Sequence, residues 1–277
     1  MNSGIQHYLI SKEEFLSQFL TRNGCDSVYS SDELLELGSI YLNKKRVSED
    51  FTLSPGQYLR VHTNPKRFPR LQTEDISNRI IEENQGFLVF NKPGMLPCHP
   101  TLDNLLENSQ HQLNNFLETE IYLTHRLDQA TCGLILYAKN KQNQTKINLL
   151  FQNSNIEKHY YCLSKSKPKL GIHNHYIERS KRSPKVFNSL QTNATDQICT
   201  LEILESLPWN DYFCSKIRLM TGRTHQIRGQ MAKMGCPILG DELYGGPTFD
   251  FFALQSSHLC FNLEGETYKY SLAPWEE

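Results

Sequence analysis

From about residue 79 onward, short apolar runs of strand length recur without the regular intervening helices that a parallel sheet requires. Phe87–Phe90, Ile121–Leu123, Gly133–Tyr137, Tyr160–Leu163, Cys199–Leu204 and Phe213–Leu219 read as strands. A helix capped by Asp103 is expected through Leu105, Leu106, Leu113, Phe116 and Leu117, and a polar helix near 141–153. This pattern predicts an α+β fold with a mixed, largely antiparallel sheet flanked by helices and loops.

Upstream, the texture differs. Ser31–Asp32–Glu33 suits a helix N-terminus, and alternation through Ile40 and Leu42, a basic turn at Lys44, Lys45 and Arg46, Pro55–Gly56 and Tyr58–Val61 suggests short strands. Residues 1–63 therefore form an expected small α/β module, 64–78 a Pro-containing linker, and 79–277 the main domain.

Several classes are excluded. No apolar run reaches the roughly 18 residues of a membrane span, so no membrane association is expected. Lys12, Glu13 and Glu14 interrupt the place where a signal peptide would be apolar, which points to the cytoplasm. The eight cysteines come no closer than fifteen residues apart, so the paired thiols of zinc fingers and redox motifs are missing. A monomer is the default expectation.

Two segments crowd polar residues onto strand-like surroundings. Thr124–Leu134 places Arg126 two residues before Asp128 between apolar runs. Arg218–Arg228 carries Arg223, His225 and Arg228. Each alone is compatible with a salt-bridged turn or a basic helix start.

Taken together and in order, these segments resemble the RluA family of RNA pseudouridine synthases. The family's H-R-L-D-x-x-T-S-G is similar to HRLDQATCG at 125–133, and T-G-R-x-H-Q-I/L-R to TGRTHQIR at 221–228. NKPGMLPCHP at 91–100, Lys158–His159–Tyr160 and MGCPILGDELYGG at 234–246 resemble three further family segments. Residues 30–63 resemble, more weakly, the S4-type RNA-binding module. The sequence departs from the pattern at Cys132, at Gly229–Gln230 where Val-His is common, and at Leu254–Gln255–Ser256 where Leu-His-Ala is usual.

The resemblance implies the pseudouridine synthase catalytic fold and isomerisation of a uridine in ribosomal or transfer RNA, with no cofactor and no metal. Asp128 matches the catalytic Asp, acting as nucleophile or as electrostatic stabiliser; both roles need an ionised carboxylate in a confined site. Arg228 matches the Arg that pairs with it, and Tyr160 the active-site Tyr. Arg126 is implied to fill the space vacated by a flipped base or to hold a phosphate. Arg223, His225 and Lys158 are expected to shape the RNA groove, with Lys44, Lys45 and Arg46 binding RNA from the small module. Gln226 is expected to satisfy buried polar groups, and Lys92 reads as a solvated turn residue.

Charge segregates along the chain although the total is −1. Residues 1–43 hold two basic and six acidic residues, a local −4. Residues 44–70 hold seven basic and two acidic (+5), and residues 158–187, including Lys181 and Arg182, eight basic and one acidic (+7). Such blocks suit a phosphate-tracking surface. Two rival readings stand beside this one: a catalytically inactive protein that grips structured RNA, and a thiol enzyme using Cys132 near His125.

Overall fold

The computed structural model describes residues 4–180 and 183–275; Lys181 and Arg182 of the second basic block lie outside them. The chain divides into two compact units. One holds the described residues through Gln72 together with His99–Thr119, the other Thr73–Cys98 together with the described residues from Glu120 on.

In the first unit, β1 (Ile5–Leu9), β2 (Glu14–Phe15), α1 (Leu16–Arg22), α2 (Ser31–Glu36), β3 (Ile40–Leu42), β4 (Lys45–Val47), β5 (Thr52–Leu53) and β6 (Tyr58–His62) follow in order. A four-stranded antiparallel sheet runs β1-β6-β3-β4. The helix expected from Ser31–Glu33 is capped by Ser30 in a capping box: the Ser30 hydroxyl accepts from the Glu33 amide, and the Glu33 carboxylate accepts from the Ser30 amide. Leu16, Leu20, Leu34, Ile40, Leu59 and Val61 fill the core between helices and sheet.

The helix expected from Asp103 starts later. Asn104 Oδ1 accepts the amides of Leu106 (3.1 Å) and Glu107 (2.9 Å), and such local bonds compete with helix formation. Asn108 caps the real helix, α4 (Ser109–Leu117), by accepting from the His111 amide at 2.9 Å. Glu107 is buried between Arg67 and Arg70, which reach its Oε1 at 2.6 and 2.9 Å. Burial opposes its charge, but Arg67, the Phe68 amide and Arg70 outweigh this and hold its carboxyl down at about 2.

The second unit opens with α3 (Thr73–Arg79), β7 (Ile80–Glu83) and β8 (Phe87–Lys92). It resumes with β9 (Tyr122–Leu123), β10 (Cys132–Ala138), α5 (Lys141–Gln152), β11 (Ile156–Ser164), β12 (Gly171–Ile177), β13 (Phe187–Asn188), β14 (Gln197–Trp209) and β15 (Tyr212–Leu219). Then come α6 (Gln226–Lys233), β16 (Leu254–Leu263) and β17 (Glu266–Ser271). The main path of its sheet is β13-β12-β14-β15-β11-β16-β10-β8-β7, with β9 on β10 and β17 on β16. Among the described strands only the β10–β16 pairing is parallel, so the expected α+β class with a largely antiparallel sheet holds. Phe87, Leu134, Leu136, Ile147, Ile156, Leu259 and Phe261 pack one face of the sheet against α5. Among the described residues no helix is long and apolar enough to cross a membrane.

Candidate active site

Asp128 sits in the loop between β9 and β10. Buried Leu127 anchors this loop, its amide donating to Cys98 Sγ at 3.4 Å, and the Thr131 amide donates to the Asp128 carbonyl at 3.0 Å. Where the loop enters β10, Gly133 has a φ of +103°, and a Cβ there would stand 2.2 Å from the Ser256 carbonyl oxygen. Only glycine permits this approach to β16.

Lys92 is not a solvated turn residue. It ends β8 with none of its surface exposed, and its Nζ donates to the carbonyls of Leu96 (2.7 Å), Pro93 (2.8 Å) and Gln129 (3.1 Å). Its ammonium thereby ties the turn after β8 to the residue following Asp128. Burial pushes the ammonium down to about 8.

Arg228, on α6, is buried and reaches Asp128 Oδ2 through Nη1 at 3.2 Å. Its stronger partner was not foreseen. Nε and Nη2 donate to the two oxygens of Asp241 at 2.8 and 2.7 Å, a bidentate pair beneath the surface. Its guanidinium lies 5.1 Å from the ring centroids of both Tyr244 and Phe252. Burial works against the charge of Arg228, but Asp241 and Asp128 overcome this and set the group above its ordinary value. Asp128 keeps 24 % of its side chain exposed, whereas Asp241 keeps 1 %. One carboxylate thus faces outward and the other holds the guanidinium from behind.

His225 stands at the start of α6 in a left-handed conformation, φ 56°. Its Nε2 is 3.9 Å from Asp128 Oδ2 and its Nδ1 3.1 Å from the Tyr244 hydroxyl, which accepts from the Lys185 amide at 2.8 Å. Tyr160 on β11 is buried. Burial raises its phenol well above the ordinary value, a Ser256 hydrogen bond opposes this in part, and the Asp128 charge adds to the rise. Tyr160 is therefore a protonated neighbour of Asp128 at neutral pH.

The remaining predicted residues spread outward. Arg126 is exposed and lines a groove with Thr124, His125, Asn148 and Phe151. Lys158 is half-buried, its Nζ 5.8 Å from the Phe151 ring centroid. Arg223 is exposed. Gln226 does satisfy buried groups: its Oε1 accepts from the Arg223 amide and the Thr221 hydroxyl, and its Nε2 donates to the Thr200 carbonyl. In the first unit, Lys44 and Lys45 are exposed, whereas Arg46 donates through Nη2 to the Tyr41 hydroxyl and the Thr101 carbonyl, both at 2.7 Å.

The departures from the family pattern have local causes. Phe187 lies over Gly229, where a Cβ would stand 2.1 Å from its ring. Gln230 is fully buried, with Nε2 near the carbonyls of His173 and Cys199 (3.2 Å each) and His175 Nδ1 (3.0 Å). Ser256 donates to the Leu134 carbonyl at 3.0 Å. Burial raises the Cys132 thiol, and His125 Nε2 accepts from the Leu136 amide at 3.0 Å, so neither group is set up for thiol catalysis.

A family model described as RNA pseudouridylate synthase matches residues 86–233, more than half of the chain. The chloroplastic RNA pseudouridine synthase 6 of Oryza sativa subsp. japonica is 31 % identical over 216 residues, covering 69 % of this chain and 45 % of that protein. Ribosomal large subunit pseudouridine synthase C of Rickettsia conorii is 31 % identical over 201 residues, covering 70 % and 66 %. The chain spans about half the length of the chloroplastic relatives it matches, from Oryza sativa and Arabidopsis thaliana. The solved structure of human RNA pseudouridylate synthase domain containing 1 shares the fold, with a TM-score of 0.60 at 21 % identity over 74 % of this chain and 86 % of that one. Domain containing 4 does so at 0.59 and 18 %, over 73 % and 90 %. The chain belongs to the RNA pseudouridylate synthase family, within which its motifs are of the RluA type.

Proposed function

We propose that this chain is a cytoplasmic isomerase that converts a specific uridine in structured ribosomal or transfer RNA to pseudouridine, with Asp128 as the catalytic carboxylate. The observation that carries this is the Asp128–Arg228–Asp241 arrangement. A partly exposed carboxylate is gripped at 3.2 Å by a buried guanidinium whose other donors are held by a second carboxylate.

In this reading the N1–C1′ bond of the uridine breaks, the base turns, C5 bonds to C1′, the C5 proton is removed and N1 takes up a proton, so that substrate and product are isomers. Arg228 holds the Asp128 carboxylate at 3.2 Å in the site, so that it acts on the sugar as nucleophile or as stabiliser of its electron-poor state. The Tyr160 ring stacks on the uracil, and its protonated hydroxyl relays a proton. Extruding the uridine costs a few kcal/mol, offset by contacts to base and backbone. Arg126, exposed in its groove, occupies the vacated stack or holds a phosphate. Arg223, His225 and Lys158 contact the RNA around the pocket.

Residues 1–63 serve as an S4-like RNA-binding module, with 64–78 as linker and 79–277 as catalytic domain, of which His99–Thr119 belongs to the first compact unit. A surface hollow lined by Tyr41, Asn43, Lys44, Tyr58 and Arg60 supports this, because aromatic faces interleaved with cations suit exposed bases and phosphates. Lys45 extends the basic edge, and Arg46 contributes by holding Tyr41.

Incubating the protein with RNA from a strain lacking it, then mapping pseudouridine, tests the reading. A new modified position is expected. No new position in any RNA refutes the enzyme and leaves RNA binding alone.

A further inference from the structure

Antiparallel pairing of β11 with β16 sets Glu157 opposite Cys260 and His159 opposite His258. Alternation puts Glu157 and His159 on one face of β11, and His258 and Cys260 on the same face of β16. Ile156, Leu259 and Phe261 occupy the opposite face, in the core. Four groups able to bind a metal thus form a two-by-two array on the outer face of the sheet, apart from Asp128. We propose that Glu157, His258 and Cys260, with His159 beside them, form a binding site for a divalent cation of the zinc type.

One ligand atom from each of Glu157, His258 and Cys260 lies within 4.8 Å of the other two. Zinc bonds of about 2.0–2.3 Å in a tetrahedron call for separations of about 3.5 Å, a contraction that rotation of exposed Glu157 supplies. The His258 Nδ1 pairs with the Ser271 hydroxyl at 2.8 Å, which leaves Nε2 for the ion and fixes the ring from behind, as outer partners of metal-binding histidines do. His159 adds an independent pointer. It is 9 % exposed, its ring stacks on His258 at 4.8 Å, its Nε2 is 2.9 Å from Glu157, and its buried Nδ1 has no hydrogen-bond partner.

The charges permit a dication. A carboxylate and, once the ion displaces the Cys260 proton, a thiolate would neutralise it. Three cations face the cluster from neighbouring strands: Lys216, Lys269 opposite Cys260, and Arg218 opposite His159. Arg218 is partly offset by Glu202 at 3.7 Å. The mixed N, S and O donors favour zinc over magnesium or calcium, which take oxygen alone. A bound ion would clamp β11 to β16 at the register shift between His159 and Tyr160.

The test equilibrates metal-stripped full-length protein with zinc ion and measures bound zinc after dialysis. Cys260→Ser and His258→Gln are run in parallel, with folding checked by circular dichroism. One zinc per chain is expected, with affinity falling by about tenfold or more in each variant. Cobalt(II) should give a thiolate charge-transfer band that Cys260→Ser lacks. No zinc on the wild type, or zinc affinity unchanged from wild type in both folded variants, overturns the site. Should a variant not fold, alkylation of wild-type Cys260, read by peptide mass spectrometry, decides: protection by zinc supports the site, and equal alkylation with and without zinc overturns it.

Discussion

Arg228 meets Asp241 through two parallel donors, Nε at 2.8 Å and Nη2 at 2.7 Å, and turns only Nη1 toward Asp128. Asp241 therefore sets the angle at which the guanidinium reaches the outward carboxylate. Asp241→Asn keeps the shape but leaves a buried cation undercompensated. Loss of a partner in such a pair costs about 3–5 kcal/mol, so urea unfolding should shift clearly to lower denaturant. Single-turnover rates should fall by about a hundredfold through misplacement, with RNA affinity little changed. Equal losses in rate and binding would assign Asp241 to the RNA surface instead.

Arg126 is exposed in the same loop as Asp128 and pairs with no acidic group among the described salt bridges. If it takes the place of an extruded base, Arg126→Ala should slow reaction on folded RNA more than on a short flexible oligonucleotide. Parallel rate measurements on the two substrates check this. Equal losses would indicate simple phosphate binding.

Lys92 has a folded-state value near 8, below the ordinary 10.5, because burial penalises its charge. Between about pH 8 and 10.5 the unfolded chain binds the extra proton, so this residue makes stability rise with pH there. Below pH 8 its penalty is constant. Lys92→Met also strips a donor from three carbonyls and should be less stable throughout. The stability difference, wild type minus variant, should widen from pH 8 to 10.5 in denaturation experiments. A difference independent of pH would contradict the depressed value.

Gly229 lies inside α6, where alanine ordinarily gains about 1 kcal/mol over glycine. Here the added Cβ meets the Phe187 ring, so Gly229→Ala should instead cost about 1–3 kcal/mol. Phe187→Ala in the same chain should remove most of that penalty, a coupling readable from a double-mutant cycle. Additive effects would show that the two positions do not share space.

The sequence made the chemistry more legible than its support. HRLDQATCG and TGRTHQIR betray themselves as polar residues among apolar strands, and their resemblance paired Asp128 with Arg228 across one hundred positions. Asp241 escaped because an Asp between Gly240 and Glu242 reads as a solvated turn; only the folded chain buries it against a guanidinium. Lys92 escaped for a similar reason, since the carbonyls that accept from it come from two separate loops. Six strands of the second unit were visible as apolar runs, whereas β7, β12, β13, β16 and β17 were not. The helix start at Asn108 was not, because local bonds from Asn104 delay it. The Glu157–Cys260 and His159–His258 pairings depend on strand register, which no linear spacing reveals.

The central claim is that the Asp128 carboxylate performs the isomerisation. Pseudouridine formation by Asp128→Asn, measured beside RNA binding by the same preparation, addresses it most directly. The predicted result is loss of all turnover, with RNA affinity retained within about tenfold because phosphate contacts dominate binding. Turnover close to wild type would contradict the account.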